Sequence, residues 1–556
     1  MPYLSVIRRR TVALRAALAL IISLASCFLR AQSVNLTSSN LPIIVINTNG
    51  QEIQDDPKIV ADMGIIYNGA SQRNNITDPF NHYNGKIGIE IRGQSSQMFP
   101  QKSYSIELRK SNGTSSQDLS MFGLPAESDW VLYAPYTDKT LMRNFLAYTM
   151  SRELGHWASN CRFVEVIVNN DYRGVYVFME RIKRNSGRVN ITKMAKTDIS
   201  GDAVTGGYIF SLDKEPNGWF SSIKPPNAQN NNTRQFSYVV PKAEDIVPEQ
   251  KAYLKRYVDS FELALQGPDY QDPEKGVRRF ADMGSFMDYF IVNEISRNVD
   301  GYRLSTYLYK DRNSRSRKIV AGPVWDYDLA FRNANYCDGS LTTGWAYQFN
   351  YVCPGDGAGL IPFWWNRLMT DSAFTGGLRC RWESARQYNL SQARVNSLID
   401  SVADLLREAQ PRHHSRWPIL GQYVWPNPNP IPTTYAGEIS MLKDWIRNRA
   451  EWIDANLPNV GACAEWSPDK PGTMAMEVYP NPFRGNGQLL VQSKLIQQAT
   501  LEVVDMAGHR IATRVVNLTA GNNNVPLDGA RWAAGIYMIR LTNRSGEKLT
   551  TKLLKQ

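Results

Sequence analysis

Two carboxylates, Asp326 and Asp328, stand one residue apart inside the apolar, aromatic run Val324-Trp325-Asp326-Tyr327-Asp328-Leu329-Ala330-Phe331. Burying ionised carboxylates costs several kcal/mol each unless a cation or hydrogen-bond donors compensate. An acidic pair placed after the apolar stretch Lys318 to Pro323 therefore points to a metal. If the run stays extended, residues two apart project to one side and both carboxylates can face one cation. Hard oxygen ligands select magnesium, manganese or calcium over zinc. The alternative is that Asp326 caps a turn and Asp328 is solvated. A third acid, Asp300, lies 26 residues upstream in Asn298-Val299-Asp300-Gly301. The histidines are scattered, and no GxSxG, HExxH or CxxC spacing occurs, so triad hydrolysis and zinc chemistry are disfavoured.

The elements that must hold these acids follow from periodicity. Ile87, Ile89 and Ile91 alternate with polar or small residues, as do Tyr104, Ile106 and Leu108, giving two strands joined by the loop Gly93 to Pro100. A helix is expected from Asp138 or Thr140 to Leu154, with Gly155 as its stop. Phe163 to Val168 and Gly174 to Met179 read as a second hairpin around Asn169-Asn170. The spacing of Phe286, Tyr289, Phe290 and Ile295 predicts a helix over 281–297, and 305–309 reads as a strand. Further helices are expected over 364–410 and 434–456. Strands with early helices, then mostly helices, describe an α+β core of two lobes with a β-rich N-terminal region.

At 556 residues the chain exceeds one core. The Pro/Gly-rich 461–475 reads as a linker, and the short strands of 476–556 as a small β-sandwich. Residues 1–32 read as a secretory signal, with Arg8, Arg9, Arg10 and Arg15 before an apolar run and cleavage near Ala31 or Gln32. The runner-up is a lipoprotein signal ending at Cys27. Losing residues 1–32, which carry five arginines and no acids, takes the formal charge from +11 to +6. With lysines and arginines dispersed, no nucleic-acid partner is implied. In an exported chain cysteines can pair, and Cys337 with Cys353 is the one readable bridge.

The strings RGQSSQMFPQKSYSIEL, GVYVFMERIKR, NEISRNVDG and GPVWDYDLAF, in that order, resemble the CotH family of atypical, protein-kinase-like proteins, over roughly residues 40–455 of a core taken as 33–460. The tail, with YPNPF, MAGHRI and GIYMIRL, resembles the type IX (Por) secretion sorting domains of Bacteroidetes. That likeness implies Sec export to the periplasm, passage through the outer membrane by the type IX machinery, and release or attachment at the cell surface.

The CotH resemblance implies a two-lobed kinase-like core that uses ATP with Mg2+ or Mn2+ and transfers a phosphoryl group to Ser or Thr of a surface or secreted protein. On this reading Asp300 is the catalytic aspartate, and Asp326 and Asp328 hold the metal. Gly93, Ser95, Ser96 and Lys102 would meet phosphates, and Glu180 would sit where the lobes join and meet the adenine through its backbone. The loop could equally be an ordinary hairpin turn with a surface lysine, and Glu180 could pair with Arg181 or Arg184. Kinase-like sites usually place an Asn shortly after the catalytic acid to hold a second metal, but here Ser305 is the nearest oxygen donor. Arg332 would contact phosphate or pair with an acid. A competing reading is a surface structural or binding protein that keeps the fold without fast transfer. A third, carbohydrate binding, would use Trp345, Tyr351, Trp364 and Trp365 as stacking platforms.

Overall fold

The computed structural model describes residues 34–214, 217–458, 474–479, 481–483, 485–493, 495–505, 510–530, 532–543 and 548–555. The expected signal segment 1–32 lies outside them, as does the linker up to 473, while 474 and 475 already belong to a strand.

Seven strands close a barrel: β1 (Ile43–Asn47), β2 (Ile59–Ile66), β3 (Tyr83–Arg92), β4 (Ser103–Arg109), β5 (Asp129–Tyr133), β6 (Cys161–Val168) and β7 (Asp171–Glu180). The order is β1-β2-β3-β4-β5-β7-β6, and β6 returns to pair in parallel with β1, Ile43 opposite Glu165. Both hairpins read from the sequence are present, β3 with β4 and β6 with β7. Alternation fills the interior with Ile87, Ile89, Ile106, Leu108, Trp130, Val164, Tyr176 and Phe178. The outward set on β7, Val175, Val177 and Met179, is buried too, because it packs into the large core shared with the helices. Closure removes the exposed sheet edges that an open sheet of this size would present.

Helix α1 (Arg143–Glu153) lies between β5 and β6. It starts later than the sequence suggests. The Asp138 carboxylate accepts from the amides of Thr140 (3.1 Å) and Arg143 (2.8 Å), and Leu141 takes a positive φ of 66°, so 138–142 forms a turn that caps the helix instead of extending it.

The second part carries an antiparallel sheet of β8 (Tyr208–Leu212), β9 (Trp219–Phe220), β10 (Gln235–Val240), β11 (Thr306–Lys310) and β12 (Ile319–Ala321), ordered β9-β10-β8-β11-β12. Around it lie α2 (Pro248–Gln266), α3 (Met283–Ser296), α4 (Ser372–Gln387), α5 (Gln392–Leu406), α6 (Ala409–Arg416) and α7 (Tyr435–Asn456). Helix α3 is central and buried on nearly every side. Its N-cap Asp282 accepts from the Ser285 amide (3.1 Å), and its C-cap Arg297 adopts φ 45°, which turns the chain abruptly into Asn298–Asp300. Cys337 and Cys353 form the expected disulfide. Trp364 and Trp365 are core residues, 1% and 2% exposed, so they offer no face to a sugar.

The C-terminal part is the expected sandwich. Its strands are β13 (Met474–Tyr479), β14 (Asn486–Ser493), β15 (Gln497–Asp505), β16 (Arg510–Leu518), β17 (Gly521–Asp528), β18 (Gly535–Asn543) and β19 (Lys548–Lys555). They form the sheets β13-β14-β17 and β16-β15-β18-β19 around Leu489, Val491, Leu501, Ile539, Leu541 and Leu553. No helix among the described residues is long and apolar enough to cross a membrane.

Candidate functional site

Asp300 sits one turn beyond α3. Its amide donates to Asn298 Oδ1 (3.2 Å), and its Oδ1 lies 3.1 Å from Arg303 Nη2, whose Nε donates to the Val299 carbonyl (2.8 Å). The carboxylate is thus held by a local turn and one guanidinium, with its side chain 22% exposed.

Asp326 and Asp328 do meet, but by a different geometry from the one expected. The run after β12 does not remain extended: Asp326 adopts φ 66°, and a turn follows at Asp328. Anchors on α1 hold this conformation, since the Asp326 amide donates to Tyr148 Oη (3.2 Å) and the Tyr327 amide to Asn144 Oδ1 (2.6 Å). Asn298 Nδ2 donates to the Asp326 carbonyl (3.3 Å), joining the pair to the Asp300 turn. The two carboxylates interact directly with each other. Burial pushes the Asp326 carboxyl up to about 6, the charge of Asp300 adds to the rise, and Arg92 opposes it. Asp328 is held well above the carboxylate range by burial, then by Asp326, Asp300 and Asp138. Asp326 is nevertheless exposed to solvent. Its carboxylate thus stands among protein groups and is still reached by solvent.

The barrel adds two residues near the pair that sequence reasoning missed. Arg92, the last residue of β3, lies over the Trp325 ring at 5.3 Å, within the field of Asp326. Arg181, exposed just past β7, is close enough to Arg92 to repel its charge. Asp213, at the end of β8, adds negative potential at Asp326 and was also missed. Arg92 opens the RGQSSQ string and Arg181 follows Glu180, so position at a strand end was the available signal.

The other expected residues fall as follows. Gly93 has φ 98°, and a Cβ there would meet Ser96 Oγ at 2.0 Å, so the loop needs glycine. Ser95 and Ser96 begin a 3₁₀ turn, Gln97 Nε2 donates to the Gly93 carbonyl (2.6 Å), and Lys102 Nζ donates to the Gln97 carbonyl. Lys102 is thus folded onto its own loop. Ser305, at φ 47°, is not joined to the acid pair by any hydrogen bond among the described residues. Glu180 is fully buried. Its amide donates to the Asn160 carbonyl (3.2 Å), its carbonyl accepts from Ser159 Oγ (2.8 Å), and its Oε2 accepts from Asn160 Nδ2 (2.8 Å). Its charge partner is Arg188, 3.7 Å away, not Arg181 or Arg184, and no Glu180 amide remains for an adenine. Arg332 donates to the Pro430 carbonyl (2.8 Å) and makes no ion pair among the described residues, with Glu438 within its field.

The donor chemistry suits a hard divalent cation: two touching carboxylates with surplus negative charge, open to solvent. Among the described residues no group of three or more His, Cys, Asp or Glu is arranged as a complete ligand set. Magnesium needs none, because it is commonly held by one or two carboxylates with phosphate oxygens and water completing its shell. Asp326 and Asp328 would be those ligands.

No curated protein matches the chain. Among solved structures, dimeric latent PorU from Porphyromonas gingivalis shares 15% identity over 15% of this chain and 9% of its own, with a TM-score of 0.14. A DUF3244 family protein with an immunoglobulin-like β-sandwich fold from Bacteroides vulgatus shares 15% identity over 15% of this chain and 96% of its own, with a TM-score of 0.12. The family model described as a secretion system C-terminal sorting domain matches residues 477–556, the β-sandwich. That domain marks a protein exported by the type IX system to the cell surface or beyond it. The family model described as CotH kinase protein matches residues 89–453, well over half of the chain, and the protein belongs to the CotH family.

Proposed function

We propose that the site binds ATP with Mg2+ or Mn2+ and transfers the γ-phosphoryl group to a Ser or Thr hydroxyl of another surface or secreted protein. The observation that carries this reading is the solvent-open Asp326–Asp328 pair, with Asp300, Arg92 and Arg181 near it. Phosphoryl transfer depends on positioning and charge stabilisation, and those are what this arrangement supplies. Asp326 and Asp328 would hold the cation, which would supply charge neutralisation for the phosphates. Arg92 and Arg181 offer guanidiniums to the same phosphates from the barrel side. Asp300 accepts the acceptor's hydroxyl proton as the new O–P bond forms and the bond from the γ-phosphorus to the bridging oxygen breaks. ADP leaves with that electron pair, and the proton passes from Asp300 to solvent.

The competing reading is a surface binding protein with slow or no transfer. Ser305 favours it, because a neutral hydroxyl off the acid pair does not supply a second metal site. Incubation with labelled ATP and Mn2+ or Mg2+ separates the two. Label incorporated by the wild type and lost in Asp300→Ala and Asp326→Ala supports transfer, and equal label in all three discards the site.

A further inference from the structure

Tyr327 stands between the two aspartates and is held at both ends. Its amide donates to Asn144 Oδ1 on α1 (2.6 Å), and its hydroxyl donates to Asn293 Oδ1 on α3 (3.0 Å). The other end of the Asn293 side chain is engaged as well, because Nδ2 donates to the Tyr289 carbonyl one turn back (3.0 Å). Tyr327 is 1% exposed and Asn293 0%. A buried amide bonded at both ends cannot rotate without leaving a polar group unpaired.

The turn that carries Asp300 packs against the same amide. The Asn298 amide donates to the Asn293 carbonyl (3.4 Å), and the Gly301 amide to the Asn298 carbonyl (3.0 Å). A Cβ on Gly301 would stand 2.3 Å from Asn293 Oδ1 and 2.9 Å from the Asn298 carbonyl oxygen, so only glycine lets the turn come this close. One side chain on a central helix is therefore touched both by the turn bearing Asp300 and by the tyrosine between Asp326 and Asp328. The acids at 300 and 326 are 26 residues apart in the chain, and Asn293 is where their two segments meet.

We infer that Asn293 is the positioning residue that sets Asp300 against the Asp326–Asp328 pair, its hold passing to the pair through Tyr327 and to Asp300 through Gly301. This inference rests on the transfer reading above. Asn298 Nδ2 adds a second tie, to the Asp326 carbonyl (3.3 Å), but the Asn298 backbone is itself anchored on Asn293. If the only work of this amide were to satisfy a buried hydroxyl, replacing both groups by apolar ones of similar shape would be nearly harmless. Positioning is not restored that way, because a displacement of about 1 Å at reacting groups can cost about a hundredfold in rate.

Combining Asn293→Leu with Tyr327→Phe in the full chain separates the two roles, since it removes acceptor and donor together. Each single variant leaves a buried polar group unpaired and should melt below the wild type, and the double variant should regain most of that loss. Its kcat should stay about 10- to 100-fold down, with the KM for ATP and the Kd for Mn2+ within about threefold of the wild type. Recovery of kcat together with Tm would overturn the inference. A calorimetric Mn2+ titration gives a second readout that needs no turnover. Asp300→Asn takes away a negative charge and should weaken Mn2+ binding about three- to tenfold in the wild-type background, but less than about twofold in the double variant. An equal effect in both backgrounds would also overturn it. Mn2+ binding without any transfer by the wild type would sink the transfer reading, and the coupling of Asp300 to the pair would then stand or fall on that ratio. No Mn2+ binding at all would sink both.

Discussion

Glu294 and the Asp326–Asp328 pair are carboxylates in the same part of the molecule, and their surroundings are opposite. Glu294, 1% exposed on α3, accepts from the Ala346 amide (2.8 Å), the Tyr347 amide (3.0 Å), Tyr302 Oη (2.9 Å) and Arg449 Nη2 (2.9 Å). Arg449 in turn donates to the carbonyls of Glu294, Thr342 and Gly344. Every lone pair has a use, and the network pins the loop inside the Cys337–Cys353 bridge to α3 and α7. The aspartates have each other, with Asp300 and Arg92 nearby. The same fold that satisfies one buried acid with four donors leaves the aspartate pair with far fewer. That contrast separates structural from functional charge better than burial does.

Exchange of the functional acids should give the largest effect. Asp300→Ala and Asp326→Ala should each lower transfer by about 10²- to 10³-fold or more while leaving Tm level or raising it, because like-charge repulsion goes with the side chain. Thermal melts beside the labelled-ATP assay check this, and a large fall in Tm with either variant would place the pair among the structural acids. Glu294→Ala should do the reverse and destabilise by about 3–5 kcal/mol, since Arg449 is left buried without its partner. Urea titration reads that directly, and a loss under about 1 kcal/mol would mean the network is not cohesive.

Much of this arrangement was legible before any coordinates. Strand alternation located β3, β4, β6 and β7, and the spacing of Phe286 and Ile295 located α3, while Asp326 and Asp328 lie side by side within the field of Asp300. What was not legible depends on long-range pairing. The parallel return of β6 onto β1 joins segments about 120 residues apart, and no local pattern encodes it. The route by which the acids meet was misread for a related reason: the left-handed turn at Asp326 is imposed by Tyr148 and Asn144 on α1, far away in sequence. Glu180 failed as an adenine contact because its alternation signalled a strand end but not that Asn160 and Ser159 would take up its backbone.

A divalent cation sharpens the comparison further. Mg2+ or Mn2+ at about 100 times its Kd should stabilise the wild type by about 2.7 kcal/mol and leave Asp326→Asn and Asp328→Asn nearly unmoved. Glu294→Gln, if folded, should keep the full shift. Differential scanning fluorimetry with and without chelator reads it, and equal shifts in the aspartate variants would put any bound ion elsewhere.

Glu262 supplies an intermediate case with a smaller, pH-dependent signature. It is 1% exposed and accepts from Ser221 Oγ (2.7 Å) and Trp364 Nε1 (2.9 Å), but makes no ion pair among the described residues, and burial pushes it up to about 7. A carboxyl whose folded pKa lies above its unfolded value binds its proton more tightly when folded, so it withdraws stability as pH rises from about 4.5 to about 7. His414, 7% exposed, is pushed down to about 4 by burial, so it withdraws stability in the other direction, as pH falls from about 6.5 to about 4. Each contribution is of order 3 kcal/mol and the windows nearly coincide, so the two largely cancel. Glu262→Gln keeps an acceptor for Trp364 and removes only one of them. The variant should match the wild type below pH 4.5 and exceed it by about 1–3 kcal/mol at pH 8, the gap opening between those values. Urea midpoints across that range measure the slope, and parallel curves for the two proteins would show that donors alone satisfy Glu262 as fully as Arg449 and its neighbours satisfy Glu294.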